Sequence, residues 1–503
     1  YIARLVARGY KVAICEQMED PALAKGLVKR NITRIITPGT VTESSMLEEG
    51  KNNYIACTVG AGSDWGVAFC DVSTGVFYAT DGRGGGALEK IINELGRFSP
   101  AEVLLGGEAV DNRELLAVLK ERIGCCIQNG APRLFDRVGD SQAVLAQFGA
   151  EDLTELGLGE SPAALMACGG LIQYLWDIEK SDLCHINKLE YYVSGQFMEL
   201  DLTARRNLEL TETLRNQEKR GSLLWVIDKT KTALGGRMLR SWLEKPLLNP
   251  VKIQRRSSAV RELVEKDMER QELQITLRDI SDMERSMGRI VAGTANARDL
   301  LSMGNSMAVL PQLKTQLSAM TAPMLAGLCQ ELDTLEDLCE ELSRAIVEDP
   351  PFTVREGGMI ADGYDKELDR LRDVMYGGRG TLASIEAAER EKTGIPKLKV
   401  GYNRVFGYYI EISKTFKGQV PEDYIRKQTL ANCERYITQE LKELESTILG
   451  AKDRIVALEY EIFTRLRGFL AEQAPRIQAA CNVVAASDVL CALAEVAANY
   501  GYV

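Results

Sequence analysis

The segment best placed for metal chemistry is Phe69-Cys70-Asp71-Val72-Ser73-Thr74-Gly75, an aspartate on a strand followed by a Ser-Thr-Gly hairpin. Metal-dependent strand cleavage needs several carboxylates converging on the ions. Asp81, Glu89, Glu94 and Glu102 follow, but none stands at a spacing that makes it a second ligand. Asp71 therefore reads as a turn-stabilising side chain, with a nuclease as the alternative. A phosphate-cradling GxxxxGK[ST] loop is absent, since Gly50-Lys51 runs into Asn52 without the required spacing. The single histidine, His185, rules out HExxH chemistry and takes no assigned role. Twelve cysteines without a CxxC pair speak against a zinc site and a disulfide framework, and most read as buried thiols of a reducing compartment. No catalytic residue and no metal ligand is expected.

A net charge of −11 speaks against a polyanionic partner until its distribution is considered. Residues 1–40 hold seven Lys/Arg against three Asp/Glu, and residues 390–440 hold ten against six, so two basic islands sit in an acidic chain. In the second island Lys397, Lys399, Arg404, Lys414, Lys417, Arg426, Lys427 and Arg435 are candidate phosphate contacts, with Asn403 and Asn432 as neutral donors. Such groups hold phosphate oxygens without reading bases. The competing reading is a solvated sheet edge, because lysines on exposed strands also block edge-to-edge pairing.

These residues need a scaffold. Its 503 residues, 26% charged and only 6% aromatic, point to several domains packed mainly from Leu/Ala/Ile-rich helices. The first 40 residues read as a helix, a strand and a second strand, the tail of an α/β domain. Runs at 54–59, 66–72 and 75–80 form a β-meander, followed by alternating helices and a short strand, hence a central sheet with flanking helices to about residue 185. Ser161 is expected to cap a helix beginning at Pro162, and Asn249 one beginning at Pro250. From Asp201 to Arg344 the pattern is helical, with expected breaks at Gly235-Gly236, Asn249-Pro250 and Ala322-Pro323. Near the end Ile437, Leu441, Leu444, Ile448, Ala451, Ile455, Leu458, Ile462, Leu466 and Phe469 mark a coiled-coil-like seam. An upstream partner carries Leu368, Leu371, Met375, Leu382, Ile385 and Glu389, weakened at Gly377-Gly378 and Gly380; the two are expected to lie antiparallel. Between them, 398–402 and 408–412 alternate like strands. No signal peptide and no apolar run near the roughly 20 residues that span a bilayer are read, so a cytoplasmic protein is expected, and both ends look cut.

Six segments in order carry a resemblance: Val12 to Gln17, Arg34 to Thr40, Asp201 to Leu210 (DLTARRNLEL), Gly235 to Leu247 (GGRMLRSWLEKPL), Lys399 to Ile412 (KVGYNRVFGYYIEI) and Arg426 to Ile437 (RKQTLANCERYI). Together they resemble the MutS family of bacterial DNA mismatch-recognition proteins over essentially the whole chain. The resemblance implies a multidomain, mainly α protein with α/β parts. Residues 1–42 would be the C-terminal part of a mismatch-binding α/β domain, and 45–185 a connector with a ribonuclease H-like fold but no nuclease activity. Residues 186–379 would be an all-α core with the first of two long antiparallel lever helices, 380–438 a small β clamp inserted at the lever tip, and 439–503 the returning lever and core. It also implies that two subunits encircle mismatched double-stranded DNA, that a MutL-type repair partner follows, and that no membrane is involved. The Phe-x-Glu wedge and a weak ATPase using ATP and Mg²⁺ would lie outside these residues, which need no cofactor themselves. Carried over singly, Arg30 and, less firmly, Lys29 match the mismatch domain, and Asn403, Arg426, Lys427, Asn432 and Arg435 match the clamp. A MutS-like paralogue or helical scaffold binding branched DNA or another partner is the alternative; such paralogues commonly lack the first two domains.

Overall fold

The computed structural model describes residues 1–17, 27–180, 183–193, 195–354, 356–403 and 407–502. About half of the chain is helical, and the strands form one two-stranded, one four-stranded and one six-stranded sheet. The chain divides into two compact units, one comprising 1–295, 302–340 and 467–503, the other 296–301 and 341–466.

In the first unit, Val12–Gln17 pairs antiparallel with Arg30–Ile36. The six-stranded sheet runs, in spatial order, Cys126–Asn129, Glu102–Gly107, Ile55–Ala61, Asp64–Asp71, Val76–Gly82 and Leu189–Tyr191. Its meander is antiparallel, and Glu102–Gly107 joins Ile55–Ala61 in parallel after a crossover through helix Ala87–Phe98. Side chains alternate across the pleat. Ile55, Cys57, Val59, Ala68 and Cys70 enter the core beneath helix Pro162–Glu179, while Ala56, Val67 and Phe69 face helix Ala87–Phe98. Because both faces are covered, the central strands read as continuous apolar runs. The edge strands Cys126–Asn129 and Leu189–Tyr191 were not expected; at four and three residues they are too short to show a period.

The rest of this unit is helical. Asn249 accepts from the backbone N–H groups of Val251 and Lys252 and so starts Pro250–Glu265 as expected. Ser161 precedes Pro162, but its hydroxyl donates to Asp81 at 2.8 Å rather than capping the helix. Gly235-Gly236, expected to break a helix, lies inside Ala233–Glu244. The absent side chain serves packing there, since a Cβ on Gly235 would strike the carboxylate of Asp488. Asp488 belongs to Ala474–Tyr500, and this helix corrects the membrane expectation: it is long and apolar enough to span a bilayer, yet 78% of its apolar window is buried in protein. Ala474, Ile477, Ala480, Val484 and Val489 make it a core helix.

The second unit contains helix Lys366–Thr393, which runs unbroken through the glycines at 377, 378 and 380 and past residue 380, and helix Gln439–Glu472, in the unit to Leu466. At 34 residues the latter is about 50 Å long. Arg372 pairs with Glu459 at 2.8 Å, whereas Leu382, later on its helix, packs on the cluster containing the earlier Leu441. The two helices therefore run antiparallel. Glu459 is buried and also accepts from the backbone N–H groups of Gly358 and Met359, so the segment before the first helix is held to the second. The expected seam drifts at its ends. Ile437 ends a strand, and Phe469 is exposed while Phe463 and Leu470 are buried, because a helix turning at 3.6 residues leaves a 3.5-residue stripe.

Candidate nucleic-acid interface

Between the two long helices lies the four-stranded antiparallel sheet, ordered Ile425–Thr429, Cys433–Ile437, Gly407–Ser413, Lys399–Asn403. One face buries Ile410, Ile412 and Tyr436 on Ile395, Leu398, Tyr424 and Leu441. Its polar groups are paired inside: Tyr424 donates to Glu389 at 2.6 Å and Tyr436 donates to Glu434. Burial, then the hydrogen bond to a carboxylate, pushes the Tyr436 hydroxyl up to about 12 and raises that of Tyr424 further. Outside, Lys392 at 3.0 Å holds the Asp423 carboxyl below its usual range.

The opposite face carries the charge. Register places Lys399 across from Glu411, Glu411 across from Arg435, and Arg435 across from Gln428, so these four share one row. Arg435 is occupied within that row. It donates to Glu411 at 3.0 Å and to Gln428 at 3.0 Å, and its guanidinium lies 4.2 Å from the ring centre of Tyr409. This residue stiffens the sheet, and a phosphate would have to compete with Glu411 for it. Arg426 is paired with Tyr436 and so lies on the core-face row at the sheet's edge, where it reaches Glu434 at 3.6 Å while its side chain stays 55% exposed. Lys427 occupies the bulge between Arg426 and Gln428, where the extra residue turns outward.

Lys399, Lys414, Lys427 and Asn432 are exposed, and among the described residues none of the three lysines has a carboxylate within 4.0 Å. Lys414 and Asn432 meet through a backbone hydrogen bond of 3.2 Å, at the same end of the sheet as Lys399 and Arg435. Asn403 is at the other end of its strand, paired with Gly407. Arg404 lies outside the described residues, as does the side chain of Lys417. The structure thus places Lys414 and Asn432 together at the end of the sheet that also holds Lys399 and Arg435, puts Lys427 on the opposite edge strand from Lys399, and sets Asn403 at the other end. Tyr409 and Gln428, which fix Arg435, were not anticipated; their two-residue offset from flanking polar positions was the available signal.

The first basic island divides differently. Lys29 and Arg30 are exposed, Arg30 opposite Gln17 at the open end of the two-stranded sheet. Arg34 is buried and spent on structure, with Glu179 at 2.9 Å, Glu43 at 3.4 Å and the carbonyl of Thr40 at 3.0 Å. Asp71 is likewise structural: fully buried, it accepts from the amide and hydroxyl of Ser73, the side chain of Asn52 and the amide of Asn53. His185 is buried with Nε2 2.7 Å from the Val72 carbonyl. No group of three potential metal ligands occurs among the described residues.

The sequence matches three family models in order: MutS domain I over residues 1–45, MutS domain II over 53–187 and MutS domain III over 203–494. It is 47% identical over 502 residues to the DNA mismatch repair protein MutS of Ruminiclostridium cellulolyticum, covering all of this chain and 57% of that protein. Identity is 46% to the MutS of Acetivibrio thermocellus and 42% to that of Clostridium tetani, again over the whole chain and 57% and 56% of those proteins. The chain spans a little over half the length of these relatives. With the domain III model alone matching more than half of its residues, the chain belongs to the MutS family.

Proposed function

We propose that this chain is the DNA-embracing part of a mismatch repair protein, and that the four-stranded sheet is a clamp carried between two lever helices. What supports this reading is the exposure of Lys399, Lys414, Lys427 and Asn432, with no carboxylate within 4.0 Å of the lysines among the described residues, on a sheet carried between long antiparallel helices. Such donors grip the backbone of any duplex, and Arg426 can exchange Glu434 for a phosphate. Arg30 and Lys29 offer a second contact. Residues 53–187 act as a connector without nuclease chemistry, since Asp71 serves its turn. Sequence recognition would then come from deformation at the mispair rather than from base contacts by the clamp.

In the whole protein this reading includes a homodimer around mismatched DNA, a MutL-type partner, a cytoplasmic location and a weak ATPase. The Lys51 carbonyl accepts from Arg285 at 2.6 Å and its ammonium lies 3.7 Å from Glu212, so Gly50-Lys51 cradles no phosphate. Charge reversal tests the clamp: Lys399→Glu/Lys414→Glu/Lys427→Glu lowers duplex affinity by more than about tenfold in fluorescence anisotropy at low salt, with unchanged circular dichroism. Unchanged affinity would place the contact elsewhere.

A further inference from the structure

Lys245 follows helix Ala233–Glu244 and is only 8% exposed. Its ammonium has three protons to donate. Yet among the described residues it has no hydrogen-bond acceptor and no carboxylate within 4.0 Å. It meets ring faces instead, with centroids at 3.9 Å for Tyr78, 5.1 Å for Tyr192, 5.2 Å for Phe98 and 5.7 Å for Phe197. Cation–π contact offsets part of the lost hydration but satisfies no N–H. Burial, followed by the nearby Arg97, pushes this lysine down to about 8.

The same ammonium lines a cavity of about 270 Å³ between the six-stranded sheet and the helices of the first unit. On that cavity's wall the Arg256 guanidinium lies 3.5 Å from the ring centre of Trp242, and among the described residues it too has no carboxylate within 4.0 Å. Among the described residues neither acid that lines the cavity makes an ion pair with these two cations, although Glu190, with Glu94 and Glu244, attracts Lys245 through space. Glu284 is committed to Arg237 at 2.6 Å, and Glu190 is exposed. Lys245 covers a face of Tyr78 and Arg256 a face of Trp242, and Tyr54, Val76 and Met238 supply apolar surface beside the two cations.

We propose that this cavity is a binding site for a small planar aromatic anion, its ring beside Tyr54, Val76 and Met238 and its phosphate or carboxylate on Lys245 and Arg256. The anion supplies the acceptors that Lys245 lacks, and a carboxyl or phosphoryl group suits both cations. Cations converging on a pocket of this size, with aromatic side chains beside the polar Asn52, Ser241 and Asn482, can orient an anionic ligand. An occupant would tie the sheet to helices Ala233–Glu244 and Pro250–Glu265, so binding raises the melting temperature of the unit. The site is separate from the proposed clamp and does not depend on it.

The test uses 1-naphthyl phosphate and 2-naphthoate as probes, with 1-naphthol and inorganic phosphate as the two halves. Calorimetry on this chain is expected to give one saturable site for at least one intact probe, at least tenfold tighter than for either half. Lys245→Met and Arg256→Met each weaken it tenfold or more, while Arg426→Ala/Lys427→Ala leaves it unchanged. Should Lys245→Met fail to fold, acetylation of the native chain at pH 8 by an N-hydroxysuccinimide ester reads the site directly. Peptide mass spectrometry should show Lys245 protected by the saturating probe and not by phosphate. Absence of saturable binding by both intact probes, or binding that leaves Lys245 unprotected, overturns the proposal.

Discussion

At the scale of single residues, the outcome turns on whether a charged group already has a partner. Arg435 and Lys427 lie in the same basic run, but Arg435 is fixed by Glu411, Gln428 and Tyr409 while Lys427 stands outward at a bulge. Arg435→Ala should therefore cost about 1 kcal/mol of stability in urea unfolding and leave most of the salt dependence of DNA binding intact. Lys427→Ala should do the reverse. Asp71 makes an independent case. With donors on both of its oxygens, Asp71→Asn turns an N–H₂ toward other donors and should destabilise the protein by about 1–3 kcal/mol, measured by chemical denaturation. Metal-dependent DNA cleavage by the wild type that vanished in this variant would restore the nuclease reading.

At the scale of elements, much of the fold was legible because each signal was local. Asn249 before Pro250 marks a helix start that backbone chemistry enforces, and the apolar run 54–59 announces a strand covered on both faces. What could not be read was set by distant residues. Gly235 looks like a breaker until Asp488, far along the chain, approaches it; Ser161 looks like a cap until Asp81 takes its hydroxyl. The row Lys399, Glu411, Arg435, Gln428 exists only through register. Asp488 also carries a pH prediction. It is buried and accepts from the amides of Lys231 and Thr232 and the hydroxyl of Thr232, and burial pushes its carboxyl up to about 6 from the ordinary 3.8. An acid whose folded value is raised favours folding in its protonated form. Its contribution is full below the ordinary value and is lost as pH rises through about 6. Asp488→Asn should flatten that part of the stability profile between about pH 4 and 6, as followed by thermal unfolding. In the four-stranded sheet, Gly407 has a φ of +76° and a Cβ there would strike Glu445. Gly407→Ala should cost at least about 1 kcal/mol and speed amide hydrogen exchange across Lys399–Ser413.

At the scale of the whole molecule, a net charge of −11 hides two functions of charge. Cations in the first unit such as Arg34 and Arg237 are consumed by buried or half-buried carboxylates, which fix the packing of the sheet domains and helices. Those at the end of the four-stranded sheet are left to solvent. The acidic remainder repels a polyanion, so productive contact with a duplex should be confined to the basic islands and should weaken steeply with salt. The most direct test is the duplex affinity of this chain and of Arg426→Ala/Lys427→Ala across a salt series. Two lost phosphate contacts should reduce the slope of log affinity against log salt by roughly 1 to 2, with equal effect on matched and mismatched DNA. An unchanged slope would contradict the assignment of the sheet as the clamp.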